Sequence, residues 1–116
     1  MKNHVIEIIN GVTEVRFIDV AGLTDLRSAM DDIAKNYYSE LRLWDMSSGV
    51  NLTESDVKQV ASHAKSTFLL PGKSAIVAPS DLTFGISRMG DVYREDGVLM
   101  QGVFRTKNEA LVWLNE

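Results

Sequence analysis

Few residues of this chain can do chemistry. Asp45 closes the apolar stretch Leu41-Arg42-Leu43-Trp44, and Ser47 follows it; Ser80 and Asp81 follow a second apolar stretch, Ser74-Ala75-Ile76-Val77-Ala78. Arg88 lies two helical turns beyond Asp81, so the acid and the guanidinium share one side of a helix. Such a group can bind a polar ligand, or it can tether loops as a structural ion pair. His4 and His63 are the two histidines, far apart in the sequence, and there is no cysteine. A zinc site would therefore need both histidines together with carboxylates. Asp31-Asp32 is an acidic pair of the kind that can hold a metal at a strand end, but it falls inside a helical period, where a solvated reading is expected. Gly85 to Gly90 has the glycine spacing of a phosphate loop, yet Asp91 stands where that loop needs Lys. Gly85 reads instead as a position of close helix packing. No nucleophile–base pair is visible. The expectation is a protein that is not an enzyme, with no metal and no cofactor. The alternative is a small enzyme or polar-ligand-binding protein using Asp45, Asp81 and Arg88.

The elements that would position these residues follow from apolar periodicity. Residues 4–9 and 12–20 are rich in β-branched side chains, and Asn10-Gly11 between them is the strongest two-residue hairpin signal. Leu26, Met30, Ile33 and Tyr37 then fall on one helical stripe, with Thr24 as N-cap. Residues 41–46 read as a strand. Thr53 and Asp56 form a capping box before Val57, Val60, Ala61, Ala64 and Phe68, and Pro71-Gly72 ends that helix. Residues 74–78 are apolar on both faces, as a central strand covered by helices would be. Ser80 caps a third helix with the stripe Leu82, Ile86, Met89 and Tyr93, closed by Glu95-Asp96-Gly97. A last strand over 98–105 leads to a short helix with Thr106 and Glu109 as its cap and Ala110, Trp113 and Leu114 as its apolar face. The order β-β-α-β-α-β-α-β-α implies right-handed crossovers, a mostly parallel sheet and a single domain over residues 1–116.

Composition narrows the function classes. Of 116 residues, 45% are hydrophobic and 24% charged, an ordinary globular balance. Twelve Lys and Arg against 16 Asp and Glu leave a net charge of −4, which argues against nucleic-acid binding. Met1 to Val5 lacks the apolar stretch of a signal peptide, and no run approaches the ~18 apolar residues of a membrane span. A cytoplasmic protein without a membrane span is expected. Met30, Met46, Met89 and Met100, with Trp44, Phe68, Phe84 and Trp113, supply either ordinary core or an adaptable pocket for an apolar ligand. A ligand is expected between the second and third helices, beside the carboxyl ends of the strands. Asp45, Ser47, Ser80 and Asp81 would be its polar contacts, and Val57, Phe84 and Met89 its walls. Phe84 lies off the stripe of its helix, so it either fills a second interface or faces a ligand or partner.

The order of elements, with Lys73-Ser74-Ala75-Ile76-Val77-Ala78-Pro79-Ser80-Asp81, Phe84-Gly85-Ile86-Ser87-Arg88-Met89 and the ending from Phe104 to Leu114, resembles the SpoIIAA-like fold of STAS domains. A related superfamily includes CRAL-TRIO lipid-binding domains. The resemblance spans nearly the whole chain and is greatest to small, stand-alone, uncharacterised bacterial STAS-like proteins. It implies an α/β fold with a mixed, mostly parallel five-stranded sheet, an N-terminal hairpin and about four helices. It also implies a binding or regulatory module for a protein partner or a small apolar ligand; apart from the resemblance, a chain that works chiefly through self-association is a third reading. In regulatory STAS proteins Asp-Ser-Ser-Gly opens the second helix and its second serine is phosphorylated. Glu54-Ser55-Asp56-Val57 stands there in this chain, so Asp56 occupies the phosphoacceptor position beside Ser55. An acid at a helix N-terminus is favourable on electrostatic grounds alone, by about 0.3–1 kcal/mol.

Overall fold

The computed structural model describes residues 2–93 and 99–116. Its elements are β1 (His4–Ile9), β2 (Val12–Phe17), α1 (Leu23–Asn36), β3 (Leu41–Asp45), α2 (Glu54–Thr67), β4 (Gly72–Val77), α3 (Asp81–Tyr93), β5 (Leu99–Phe104) and α4 (Lys107–Leu114). Asn10 and Gly11 both take positive φ, 50° and 79°, and close the antiparallel β1–β2 hairpin with Ile9 opposite Val12. The other three pairings are parallel, and the strand order is β1-β2-β3-β4-β5. This is the expected α/β architecture: a mixed, mostly parallel five-stranded sheet with four helices.

Strand order decides where the helices go. Each right-handed crossover moves one strand in the same direction, so α1, α2 and α3 all land on one face of the sheet. There α1 packs on α2 and α2 on α3, while α4, which follows β5, packs on β3, β4 and β5 from the other side. Alternation along the strands sorts the side chains accordingly. Val15, Phe17, Trp44 and Ile76 meet the buried faces of α1 and α2, and Val12, Leu43, Ala75 and Val77 meet Ala110 and Leu114 of α4.

Three local expectations are corrected. The N-cap of α1 is Gly22 rather than Thr24: its N–H donates to Asp25 Oδ2 at 2.9 Å, directly after a parallel bridge between Ala21 and Val50. The stripe read for α3 faces outward at two of its positions, with Leu82 70% and Met89 37% exposed. The helix instead turns Thr83, Ile86, Ser87 and Gly90 inward, the same spacing carried by shorter side chains. Gly85 is not a close-packing position, since a Cβ there would meet open space; Gly90 is the one that lies against α2, where a Cβ would sit 3.7 Å from Val57 Cγ1. The closing Glu95-Asp96-Gly97 and Val98 of the last strand lie outside the described residues. Among the described residues no helix is long and apolar enough to cross a membrane.

Candidate functional site

The face covered by α1–α3 is not fully filled. The entry of α2 is fixed by a reciprocal cap: Asp56 N–H donates to Thr53 Oγ1 at 3.1 Å, and Thr53 N–H donates to Asp56 Oδ2 at 2.9 Å. From that start, helical spacing aims Val57, Ala61 and Ala64 at the sheet, where Trp44 and Ile76 form the floor. Alanine at 61 and 64, and Ser87 and Gly90 on α3, are too short to close the space. The result is a cavity of about 100 Å³ between the sheet, α2 and α3. Its lining is overwhelmingly apolar, with Met30 and Met46 among its walls.

Among the described residues, one charged side chain lies in this lining. Arg42 is on β3, two residues before Trp44 and therefore on the same face, and it is only 1% exposed. Its guanidinium carbon lies 4.4 Å from the centre of the Phe68 ring and 5.8 Å from that of Tyr38. Nη1 donates to Ser39 O at 2.8 Å. Nε and Nη2 have no hydrogen-bond partner among the described residues. Burial pulls the pKa of this guanidinium down, and the neighbouring Tyr38 only partly opposes that. Leaving buried donors unpaired costs roughly 1–3 kcal/mol each, which the Ser39 hydrogen bond and the contacts with Phe68 and Tyr38 oppose. Arg42 also belongs to a polar row across the sheet. Thr13, Arg42, Ser74 and Gln101 are in register on β2 to β5, and the last three line the cavity.

The residues singled out in the sequence lie elsewhere. Asp45 points to the opposite face, where its Oδ1 accepts from Ser47 N–H at 3.0 Å and from the Ser47 hydroxyl. It borders a polar cleft of about 140 Å³ with Glu7, Glu14 and Lys107. There Lys107 meets Glu14 at 2.7 Å, and that hydrogen bond raises the lysine pKa. Ser80 caps α3, its hydroxyl accepting from Thr83 N–H at 3.2 Å. Asp81 accepts from Arg105 Nη1 at 2.8 Å, so the cation it pairs with is Arg105 and not the expected Arg88, which is exposed further along α3. Phe84 is half-buried, with the Arg105 guanidinium 4.1 Å from its ring centre. Ser55 is exposed and accepts from Gln59 Nε2 at 3.5 Å, while Asp56 serves the α2 cap. Of the expected ligand contacts only Val57 lines the cavity; Asp45, Ser47, Ser80, Asp81, Phe84, Arg88 and Met89 do not.

The reason is topological. Ligand crevices at strand ends open where strand order reverses and successive helices diverge to opposite faces. In the order β1-β2-β3-β4-β5 there is no reversal, and the space moves to the interface between sheet and helices. Of the acidic pair, Asp31 keeps its solvated reading, its side chain 64% exposed, while Asp32 is largely buried. Asp32 Oδ2 meets His4 Nε2 at 2.9 Å, tying α1 to β1, and Asp31 Oδ1 meets His63 Nε2 at 2.7 Å, tying α1 to α2. Arg42 was missed, although a signal was present: a cation in the middle of a strand whose neighbours are apolar on both faces.

Among known proteins, no family model matches the sequence, and no curated protein matches it. By structure the chain is similar to an uncharacterised protein of the DUF3478 family with a SpoIIAA-like fold from Shewanella loihica PV-4. The two superpose with a TM-score of 0.61 and 16% sequence identity, over 98% of this chain and 95% of that one. At this identity the likeness shows the fold, which is SpoIIAA-like, and carries no activity.

Proposed function

We propose that this SpoIIAA-like chain is a non-enzymatic binding module that holds a small apolar ligand between its sheet and helices α2 and α3. The observation that carries the reading is the apolar cavity of about 100 Å³. Protein cores are packed to crystal-like density, and apolar cavities of on the order of 150 Å³ take up benzene or xenon. Among the described residues, the polar ones of the lining are Arg42, Ser74, Ser87 and Gln101, with no carboxylate or imidazole to act as a general base. This supports binding over catalysis.

The two tryptophans separate the test cleanly. Trp44 is in the cavity floor, whereas Trp113 is on α4, across the sheet. In a Trp113→Phe background, benzene or hexanol is expected to shift Trp44 emission saturably. Ala61→Leu, which fills the cavity, is expected to abolish the response. A folded protein whose Trp44 emission responds to neither probe overturns the reading. Native mass spectrometry of the protein as purified would reveal a ligand already bound.

A further inference from the structure

We infer that the ligand is a small monocarboxylic acid with an apolar body, its carboxylate held by Arg42 at the end of the cavity. The inference rests on the cavity reading above and adds the chemistry of the head group. It starts from which nitrogens of Arg42 are occupied. A guanidinium presents Nε–H and Nη2–H as two parallel donors on one edge, spaced to take both oxygens of a carboxylate. Those are the two nitrogens left without a partner, while Nη1, on the other edge, is used by Ser39 O. Structural bonds thus occupy one side of the group, and the two-pronged edge is buried without a hydrogen-bond partner among the described residues.

Three further observations agree. The described residues lining the cavity include no acid that could neutralise Arg42. The planes of Phe68 and Tyr38 hold the guanidinium in place, so that little freedom remains to be lost on binding. Ser74 and Gln101, next to Arg42 in register, bring hydrogen-bonding side chains to the same end of the cavity, and the remainder offers methyl, thioether and aromatic surface. A single acid at one end of an apolar body matches this division of polar and apolar surface. A dianionic phosphate with many acceptors matches it less well, because one two-donor edge would leave most of its oxygens facing apolar walls.

The test compares acids with alcohols of the same body: hexanoate against hexanol, octanoate against octanol, and benzoate against benzyl alcohol, all read by Trp44 emission in the Trp113→Phe background. The full chain is expected to bind each acid roughly 10- to 100-fold more tightly than its alcohol, the range of a charge-assisted hydrogen bond. Arg42→Met is expected to remove that preference, bringing the acid and alcohol affinities together. Arg42→Lys, which keeps the charge and loses the fork, is expected to lose most of it and serves if the Met variant does not fold. Equal binding of acid and alcohol by the unaltered cavity overturns the head-group assignment and leaves the cavity reading standing. An acid preference that persists in a folded Arg42 variant overturns the role of Arg42. Binding of neither class overturns both readings. The comparison within the unaltered cavity needs no Arg42 variant at all.

Discussion

The Arg42 guanidinium carbon lies 4.4 Å from the centre of the Phe68 ring, buried beneath α2. Phe68 is the C-cap residue of α2 and is itself buried, so one ring both closes the end of the helix and shields a charge. Phe68→Ala is expected to cost about 3–5 kcal/mol in urea unfolding through cavity formation. Phe68→Leu, which keeps apolar volume and removes the ring face, should cost about 1–2 kcal/mol. A Phe68→Leu cost near zero would mean that the ring face contributes nothing.

Arg42 itself should behave oppositely in the ligand-free protein. A buried charge without a counter-ion is replaced by an apolar residue of similar length at no loss, and often with a gain. Arg42→Met is therefore expected to leave unfolding stability unchanged or to raise it by up to about 2 kcal/mol. A loss above about 3 kcal/mol would mean that the arginine is required by the fold.

Asp32 sets a pH dependence. The hydrogen bond from Asn36, then the contact with His4 and the nearby Lys2, hold its carboxyl from an ordinary 3.8 down to about 2. A depressed folded-state pKa contributes stability that is complete above the unfolded value and is lost as pH falls from about 4 through about 2. That loss should amount to roughly 1–2 kcal/mol. Urea midpoints across this window should fall less steeply in Asp32→Asn. An unchanged slope would remove Asp32 from the account.

Two glycines should respond with opposite signs. A Cβ on Gly72 would sit 2.4 Å from the Glu40 carbonyl oxygen, held there because Lys73 N–H donates to that same oxygen at 2.8 Å. Gly72→Ala should destabilise by about 1–3 kcal/mol. On α3 a Cβ at Gly85 meets nothing, and Gly85→Ala should stabilise by about 0.5–1 kcal/mol from helix propensity. Thermal unfolding of the two variants checks both signs.

What could be read from the sequence is what depends on neighbours in the chain. Asn10-Gly11 dictated a hairpin because two consecutive positive φ values suit those residues, and Thr53 with Asp56 marked the start of α2 through bonds spanning three residues. The candidate site depended on what the chain does not encode locally. Strand order decides whether a strand-end crevice exists, and nothing in the alternation of strands and helices reveals it. On α3 hydrophobicity pointed to Leu82 and Met89, but the helix lies close to α2, where Gly90 fits and a long side chain does not. Asp81 found Arg105, across the sheet's end, sooner than the cation on its own helix. Arg42 was visible as a charge in an apolar strand, but its register with Ser74 and Gln101 came only from strand pairing.

Because each strand pairs with the strand adjacent in the chain, the sheet has a direction of assembly. A nascent chain that has left the ribosome as far as Val77 already holds β1 to β4, and every one of those strands has a partner available. No strand waits for a distant segment before its backbone groups are satisfied, so little sticky edge is exposed for long during synthesis. Contacts between chain neighbours also carry a small loop-closure cost, which favours fast folding for a parallel sheet. The same winding that gathers three helices over the cavity thus lets the protein build itself in the order in which it is made.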